Sequence, residues 1–506
     1  MPSYPSANFV GQSKGEENWL FFFGATFPFG LNGEACAVFL FFQNWAFYCC
    51  TVWGGKRRTQ MKQSLEKWLT PARILTVGFA ALILVGGALL SLPIASNSGV
   101  GLNFLDALFT ATSATCVTGL VVVDTLTQFN LFGQLVILTL IQVGGLGFMT
   151  VATFIIIYTG RRIGLKERLV IQEALNVNSM EGVIRLARNI VLITVGIELI
   201  FAAILAVRFS VEMPVGQAIY YGIFHAVSAF CNAGFDLFGD FKSLTGFVDD
   251  PTVNLVIMLL IILGGLGFTV LVDLWKAPKP ARLSLHSKLV LTMTSALLLI
   301  GAIGYFLLEM HNPKTLGSLG WDGKILASLF ASTTARTAGY ATIDYGSITD
   351  ASKLWTILLM FIGASPGSTG GGIKTVTTIV ILLHVYSVIT GKDTTSAFRK
   401  SIDLKTIYKS FAIAVVSAIM LLAVTFTLTI TEQKEFIRLL FEATSAFGTV
   451  GLSTNLTPEL SHAGRAILIL MMFAGRVGPL TLALALAARA QDKALIKYPE
   501  EKLFVG

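Results

Sequence analysis

Four short strings, each ending in a glycine, are the residues of this chain whose types and spacing suit the binding of an ion. In every string the first residue precedes the glycine by six positions, and the glycine recurs every 105 to 115 residues. Because glycine permits a backbone with φ above zero, it can aim a main-chain carbonyl inward. A ring of such carbonyls can replace the hydration shell of a cation, so the strings predict one shared filter. They read Ser113-Ala-Thr-Cys-Val-Thr-Gly119, Ser228-Ala-Phe-Cys-Asn-Ala-Gly234, Thr333-Thr-Ala-Arg-Thr-Ala-Gly339 and Ser445-Ala-Phe-Gly-Thr-Val-Gly451.

The chemistry of these strings indicates the kind of cation. None contains a carboxylate, and a ring of neutral carbonyls suits a weakly hydrated monovalent ion better than a divalent one. Potassium is the natural candidate. The alternative account of such glycines is close helix packing through small residues, which we favour for the two Gly-Gly-Leu-Gly-Phe copies at 144–148 and 264–268. Four aligned strings, each behind a short helix, favour the filter instead.

The composition places these strings in a membrane. Of the 506 residues, 54% are hydrophobic and 13% charged, with a mean hydropathy of +0.73, whereas soluble domains carry about 25% charged residues. This excludes a soluble enzyme, a nucleic-acid-binding domain and a disordered chain. The net charge of +8 comes from short basic runs between apolar segments, and the five cysteines have no metal-ligand spacing. We therefore predict an all-α polytopic membrane protein that is not an enzyme and has no cofactor.

Eight apolar segments are long enough to span a bilayer, which takes about 20 residues. Between the members of each successive pair lies a segment of about a dozen residues, too short to cross. The unit is therefore helix, half-helix, glycine loop, helix, repeated four times around one axis. The half-helices direct their partially negative C-terminal ends at the filter. The spanning segments lie near 73–94, 131–158, 189–207, 253–275, 288–308, 353–387, 410–430 and 464–488, and the half-helices near 103–115, 217–230, 323–335 and 435–447.

The charges of the loops predict the orientation in the membrane. Basic residues gather at 161–188, 276–288, 392–409 and 489–502, whereas the loops after the half-helices are acidic. Since basic residues mark cytoplasmic loops, both ends of the core should be cytoplasmic. The half-helices then enter the membrane from outside.

The third repeat departs from the others. Its long apolar segment is broken at 363–375, where Pro366 and a series of glycines cannot continue a helix. Arg476 lies at the corresponding depth of the fourth repeat, where an arginine costs about 2.5–3.5 kcal/mol. We therefore expect Arg476 to face the cavity and to bond carbonyls of the loop. The alternative is a structural ion pair with Glu198 or Glu309.

Two patterns that could suggest an enzyme are weak. A phosphate-binding loop needs glycine directly before Lys-Thr, but Ile373 separates Gly372 from Lys374. His225 and Ser228 share the second half-helix without an evident third partner for nucleophilic catalysis, so we interpret them as packing residues.

Together, the four strings, the interrupted third segment and Arg476 resemble the Trk/Ktr/HKT superfamily of potassium transporters, and most of all its bacterial Ktr-type membrane subunit. The resemblance runs from about residue 61 to 506. It implies that the intramembrane loop at 363–375 is a gate beneath the filter, with Gly367, Gly370, Gly371, Gly372, Lys374 and Arg476 as gate residues. It also implies that K+ is held by main-chain oxygens at and just before each filter glycine, namely at Val117, Thr118, Gly119, Asn232, Ala233, Gly234, Thr337, Ala338, Gly339, Thr449, Val450 and Gly451.

The resemblance further implies partners and a second ion. A separate cytosolic nucleotide-binding regulatory subunit, a KtrA-like ring, would dock on the basic loops, and the membrane subunit would form a homodimer in the plasma membrane. Sodium dependence is typical of the Ktr type, although no residue here allows it to be derived. All four filter glycines are present, so nothing suggests a change towards the sodium-transporting members that carry serine at the first. Arg336 replaces a small residue in the third string.

The predicted organisation is an N-terminal extension at 1–60, repeat 1 at 61–160, repeat 2 at 161–276, repeat 3 at 277–391 with the gate loop at 363–375, and repeat 4 with a cytoplasmic tail at 392–506. We favour translation from Met61 over an extra span at 35–53. The rival function is a secondary transporter of another small solute with broken helices, which predicts a twofold or inverted repeat. A voltage-gated channel is disfavoured because no span carries arginine at every third position.

Overall fold

The computed structural model describes residues 70–158, 165–174, 182–277, 282–479 and 481–482. The predictions on residues 1–60, on the start at Met61 and on the tail lie outside these residues. The described chain is almost entirely helical. Its strands are the two-residue β1 (Ser396–Ala397) and β2 (Lys400–Ser401), which pair antiparallel. The predicted all-α class is confirmed.

The helices follow the predicted repeating order. Repeat 1 contains α1 (Pro71–Ser91), α2 (Phe104–Thr115), α3 (Thr125–Gln128), α4 (Leu131–Leu146) and α5 (Phe148–Tyr158). Repeat 2 contains α6 (Leu165–Ala174), α7 (Val183–Phe209), α8 (Val215–Phe230), α9 (Pro251–Leu266) and α10 (Phe268–Lys276). Repeat 3 contains α11 (Leu285–Glu309), α12 (Trp321–Thr334), α13 (Asp350–Phe361) and α14 (Thr375–Ile389). Repeat 4 contains α15 (Leu404–Glu432), α16 (Phe436–Gly448) and α17 (His462–Val477), and short 3-10 turns lie at Pro93–Ala95, Thr245–Phe247 and Thr457–Glu459.

The first long helix of each repeat is α1, α7, α11 or α15, with 21, 27, 25 and 29 residues. At 1.5 Å per residue they measure about 32 to 44 Å, more than the roughly 30 Å of a hydrocarbon core. Local residues set where they begin: the Thr70 hydroxyl accepts from the Arg73 N–H, and the Ser284 hydroxyl accepts from the Ser287 N–H. By length and composition, these four helices can each cross a bilayer.

The half-helices α2, α8, α12 and α16 are short, with 12, 16, 14 and 13 residues. At about 18 to 24 Å they stop inside a bilayer. Their C-terminal halves are mostly buried, and each ends three to five residues before its filter glycine. Each half-helix therefore aims the partially negative end of its dipole at the filter string.

The second long segment of each repeat packs on the half-helix of the next repeat. The pairs are α4 with α8, α9 with α12, α13 with α16, and α17 with α2. The fourth repeat therefore closes back on the first. Within each repeat, the first long helix packs on its own half-helix. This is a pseudo-fourfold arrangement around one central axis.

The second segments are not the continuous spans that the sequence predicted at 131–158, 253–275 and 464–488. The helix breaks at Gly147, Gly267 and Gly478, whose φ angles are 79°, 94° and 92°, and α9 meets α10 at an angle of 96°. A helix cannot continue through a residue in this conformation, which glycine adopts without steric cost. In repeat 3 the predicted interruption is confirmed, because α13 ends at Phe361 and α14 begins at Thr375.

The close packing predicted for the two Gly-Gly-Leu-Gly-Phe copies is confirmed at their first glycine. A Cβ on Gly144 would collide with the Thr115 carbonyl, and one on Gly264 with the Phe230 carbonyl. These carbonyls belong to the last residues of α2 and α8. The first glycine of each copy thus seats the end of a half-helix, while the third glycine breaks the long helix.

Candidate ion filter and gate

The four filter strings adopt the same backbone conformation. In each, the glycine and the residue two positions before it have positive φ, which non-glycine residues adopt only when their surroundings over-determine it. The two alternate left-handed positions turn the backbone sharply just beyond each half-helix. The φ angles are 59° and 92° for Val117 and Gly119, 60° and 70° for Asn232 and Gly234, 67° and 83° for Thr337 and Gly339, and 49° and 91° for Thr449 and Gly451.

The four turns form a closed ring of contacts. A Cβ built on any of the four filter glycines would collide with the carbonyl oxygen of the middle filter residue of the next repeat, and the fourth glycine meets the first repeat in this way. No side chain fits at these positions, because a neighbouring carbonyl occupies the space. The facing pairs are Gly119 with Ala233, Gly234 with Ala338, Gly339 with Val450, and Gly451 with Thr118.

The predicted filter residues are therefore brought together, and all of them are buried except Gly339, which is partly buried. The oxygen atom that each filter glycine faces is a main-chain carbonyl of the next repeat. Among the residues that the structure describes, no three His, Cys, Asp or Glu side chains come together as a metal site. Arg336, in the third string, is also buried.

Hydroxyl groups at the ends of the half-helices anchor the turns in two ways. In repeat 1 the Ser113 hydroxyl accepts from the Gly119 N–H at 3.0 Å, and Ser445 does the same for Gly451 at 3.1 Å. In repeats 2 and 3 a hydroxyl instead donates to the carbonyl of the residue after the glycine. Ser228 donates to Phe235 at 2.8 Å, and Thr334 donates to Tyr340 at 2.6 Å. The hydroxyl of Ser228 is thus a structural anchor.

The anchor of repeat 3 corrects the sequence alignment, which placed Thr333 opposite the serines. The hydroxyl of Thr333 bonds the Leu329 carbonyl within its own helix. The N–H of Ala338 bonds the carbonyl four residues back, at Thr334. In the other repeats the corresponding bond reaches five residues back, as from Thr118 to Ser113. The third turn is one residue shorter, so Thr334 takes the place of the serine.

The loop between α13 and α14 lies directly against the ring. A Cβ on Gly370 would collide with the Thr337 hydroxyl, and one on Gly371 with the Thr449 hydroxyl. These threonines begin the filter turns of repeats 3 and 4. The absence of side chains at 370 and 371 therefore lets the loop backbone approach the ring from the side of the half-helix ends.

The loop is held by the carbonyls that the break in α9 leaves without helical partners. The N–H of Ser365 donates to the Gly265 carbonyl at 3.0 Å, and the N–H of Thr369 donates to the Gly264 carbonyl at 3.3 Å. In return, the N–H of Phe268 donates to the carbonyl of Gly367 at 2.9 Å. The broken helix of repeat 2 thus forms the seat of the loop.

Two cationic side chains also bond the loop region. Arg476 donates to the Thr369 carbonyl, as the sequence predicted, and also to the carbonyls of Gly144 and Gly145 at the break in α4. Lys374 donates to the carbonyls of Gly370 at 2.5 Å and Gly371 at 3.3 Å. Both positive charges lie next to the segment that packs against the ring.

The alternative of an ion pair for Arg476 is wrong. Glu198 accepts a hydrogen bond from the Gln142 amide at 3.2 Å. Glu309 accepts from the N–H and hydroxyl of Thr349 and from the side chains of Thr315 and Asn312. Main-chain carbonyls are the partners that stabilise the guanidinium at this depth.

Comparison with known proteins agrees with this architecture. The model of the TrkH family, described as a cation transport protein, matches residues 44–497. The chain belongs to the TrkH family. Ktr system potassium uptake protein B of Bacillus subtilis (strain 168) is 48% identical over 450 residues, which cover 88% of this chain and 100% of that relative. Potassium/sodium uptake protein NtpJ of Enterococcus hirae is 42% identical over 455 residues, covering 88% and 100%.

A solved member of the TrkH family shares the fold. The crystal structure of the potassium transporter TrkH from Vibrio parahaemolyticus matches with a TM-score of 0.65 at 18% identity, covering 82% of this chain and 84% of that one. The resemblance to the Trk/Ktr/HKT superfamily is confirmed, and the chain is a multi-pass membrane cation transporter. The rival twofold or inverted arrangement does not match a ring of four turns with like conformation.

Proposed function

We propose that this TrkH-family chain takes up potassium selectively across the plasma membrane through the ring of filter carbonyls. The observation that carries the proposal is the closed ring, in which each filter glycine faces a carbonyl oxygen of the next repeat. Neutral carbonyls and four half-helix C-termini stabilise a cation without binding it as tightly as carboxylates would. The name of the Bacillus subtilis relative, a potassium uptake protein, supports the same ion.

The ion-holding atoms are the main-chain oxygens of twelve residues, three from each repeat. None of their side chains is charged, and none is a strong metal ligand. Selectivity then depends on how closely the four turns keep their spacing. The residues are Val117, Thr118, Gly119, Asn232, Ala233, Gly234, Thr337, Ala338, Gly339, Thr449, Val450 and Gly451.

The loop at 363–375 is the gate in this proposal. It packs against Thr337 and Thr449 of the ring, and the positive charges of Lys374 and Arg476 adjoin it. A closed loop therefore opposes a cation both sterically and electrostatically. Opening requires the loop to leave the carbonyls of α9 and to break the bond between Arg476 and Thr369.

The proposal extends to partners, to sodium and to orientation. A cytosolic nucleotide-binding regulatory subunit docks on the basic loops, two membrane subunits form a homodimer, and both ends of the core are cytoplasmic. Sodium dependence has support from the relative named a potassium/sodium uptake protein. The basic loops between repeats supply the charge that such docking and orientation need.

Complementation of a host that lacks potassium uptake tests the proposal. Growth at limiting potassium, with and without sodium, should depend on the chain, and sodium should lower the potassium concentration required. Gly119→Ser should lower the ratio of potassium to sodium uptake, because a side chain there lies against the Ala233 carbonyl. Gly99→Ser is the matched control: Gly99 also has a positive φ, of 69°, but nothing lies within 4 Å of its added Cβ. An unchanged uptake ratio in Gly119→Ser would contradict the filter assignment.

A further inference from the structure

Two buried polar side chains occupy equivalent places in opposite repeats. Glu442 in α16 and His225 in α8 each stand nine residues before the filter glycine of their own repeat, and both are fully buried. Each accepts the backbone N–H of the residue three positions after that glycine. The Glu442 carboxylate accepts from Thr454 at 2.8 Å, and His225 Nε2 accepts from Leu237 at 3.4 Å.

Glu442 is bound by the whole segment that follows the filter of repeat 4. Besides the Thr454 N–H, its carboxylate accepts the hydroxyls of Ser453 at 2.8 Å, Thr454 at 3.2 Å and Thr457 at 2.7 Å. Four hydrogen bonds from three residues are enough to stabilise a buried carboxylate, and they join the half-helix to the outgoing chain. The segment directly after Gly451 is thus tied to the helix directly before it.

His225 ties repeat 2 in the same manner. Because Nε2 accepts from Leu237, the ring is neutral and Nδ1 donates to the Tyr221 carbonyl at 2.7 Å. The imidazole packs on Phe238, with ring centroids 4.6 Å apart. Next to it, the Tyr340 hydroxyl donates to the carbonyl of Phe235, the residue after the filter glycine, at 3.0 Å.

The corresponding places in repeats 1 and 3 are occupied differently. Repeat 1 holds Thr110, whose hydroxyl donates to the Asp106 carbonyl of its own helix. Repeat 3, with its turn one residue shorter, holds Ala331, which has no polar group in its side chain. Since repeats follow one another around the ring, repeats 2 and 4 lie opposite each other. The two ties therefore lie within repeats on opposite sides of the ring.

We infer that His225 and Glu442 are positioning residues that hold the outgoing filter segments of repeats 2 and 4, and that this tie sets the ion selectivity of the ring. The inference rests on the proposed filter. Neither side chain contacts the ion in it; each acts through the backbone N–H that it binds.

Selectivity measurements on two pairs of variants test the inference. Glu442→Ala should lower the ratio of potassium to sodium uptake about tenfold, a ratio equivalent to ~1.4 kcal/mol. Glu442→Gln should keep most of the ratio, because an amide oxygen still accepts from Thr454. His225→Phe, which keeps an aromatic ring but removes the acceptor, should also lower the ratio, whereas His225→Gln retains an acceptor and should restore it. Apparent KM and maximal rate are measured separately for K+, Rb+ and Na+.

Glu309→Ala is the matched control for loss of a buried carboxylate. Glu309 also accepts four hydrogen bonds, one of them from a backbone N–H, but it ties α11 to the start of α13 instead of a filter turn. All rates are normalised to the amount of folded protein. In Glu309→Ala that amount should fall while the uptake ratio stays unchanged.

The outcomes separate this inference from the proposed filter. If Gly119→Ser changes the uptake ratio but Glu442→Ala and His225→Phe reduce only the amount of folded protein, as Glu309→Ala does, the inference is overturned and the filter stands. If the ratio is unchanged in Gly119→Ser as well, the filter assignment itself fails. The inference is supported if Glu442→Ala and His225→Phe lower the ratio of potassium to sodium uptake while Glu442→Gln and His225→Gln keep it near the wild-type value.

Discussion

The second helix of repeats 1, 2 and 4 is broken by a single glycine, whereas that of repeat 3 is broken by the whole loop from 362 to 374. Gly147, Gly267 and Gly478 have φ angles between 79° and 94°, so the three short breaks are nearly the same structure. Only one of four repeats can place a loop on a shared axis, because a second loop would occupy the same space. The ring thus depends on the likeness of the four repeats, whereas the proposed gate depends on the one repeat that differs.

The regular breaks also supply the acceptors that hold the irregular one. The carbonyls of Gly264 and Gly265 at the break in α9 bind the loop backbone. Those of Gly144 and Gly145 at the break in α4 bind Arg476, which in turn binds Thr369 of the loop. A helix end leaves carbonyls without partners. The helix breaks that repeats 1 and 2 share therefore supply the acceptors that hold the loop of repeat 3.

Deletion of residues 370–372 is expected to have the largest effect on this difference. It removes the loop backbone that packs against Thr337 and Thr449, so the rate of potassium flux into vesicles should rise about tenfold, equivalent to ~1.4 kcal/mol. Flux is measured per folded protein, with the Gly99→Ser variant as a reference for an altered glycine outside the ring. An unchanged or lower flux would remove the loop from the gate.

Arg476→Ala should raise flux less, by about fivefold, because it removes hydrogen bonds worth ~1 kcal/mol but leaves the loop in place. The flux of Arg476→Lys should lie between those of the wild type and Arg476→Ala, since an ammonium group cannot bridge separate carbonyls as a guanidinium does. The same flux assay checks both variants. Equal rates for Arg476→Ala and the wild type would show that the carbonyl bonds do not hold the gate shut.

Alanine substitutions at Gly147, Gly267 and Gly478 should all lower stability, but only one of them should also change the flux. Each costs about 1–2 kcal/mol of stability, because the positive φ disfavours a side chain, and thermal unfolding in detergent measures this. A Cβ on Gly267 would in addition lie 2.6 Å from the Pro366 carbonyl of the loop, whereas those on Gly147 and Gly478 have nothing nearer than 3.8 Å. Only Gly267→Ala should therefore raise flux as well. Equal flux in all three variants would argue against α9 as the seat of the loop.

The smallest expected effect is a pH dependence on the other side of the ring. Burial raises the pKa of Asp236 to about 7, the Phe238 N–H opposes this, and the negative charge of Asp124 adds to it. Because the pKa is raised, the neutral form is favoured in the folded protein, and negative charge near the filter is lost as the pH falls through 7. Uptake at limiting potassium should drop about twofold between pH 8 and pH 6, since only one negative charge changes and salt screens part of its effect.

Asp236→Asn should abolish that pH dependence. In Arg476→Ala the dependence should persist, because Asp236 lies after the filter glycine of repeat 2, whereas the loop packs against Thr337 and Thr449, which lie before the filter glycines of repeats 3 and 4. Initial rates over the pH range check both expectations. A pH effect that disappears with Arg476 would place its origin in the gate.

Much of the fold could be predicted because the membrane limits the choices. Apolar length separates spanning helices from half-helices, and the predicted half-helix at 435–447 is observed as Phe436–Gly448. The breaks at Gly147 and Gly267 were missed because periodicity does not distinguish a packing glycine from one with positive φ. Gly478 had a usable signal, since Pro479 follows it and disfavours the helical conformation at the preceding residue.

Of the candidate site, the four strings could be found from their repetition, but the roles of single residues could not. The sequence aligned Thr333 with the serines of the other strings, whereas Thr334 takes their place. The reason is that the turn of repeat 3 is one residue shorter than the other three. The sequence did not reveal the shared role of Glu442 and His225, because the backbone N–H that each one binds lies 12 positions further along the chain, beyond the filter turn. Their shared position became visible only with the hydrogen bonds.

The sequence alone determined the apolar membrane helices, the fourfold unit, the four repeated glycines and the one interrupted repeat, because hydropathy, period and glycine content are local properties. The tertiary structure decided which carbonyl each glycine faces, where the loop is seated and which groups stabilise Arg476. These are contacts between repeats more than 100 residues apart, and they follow from the closure of four units around an axis, which no single segment encodes.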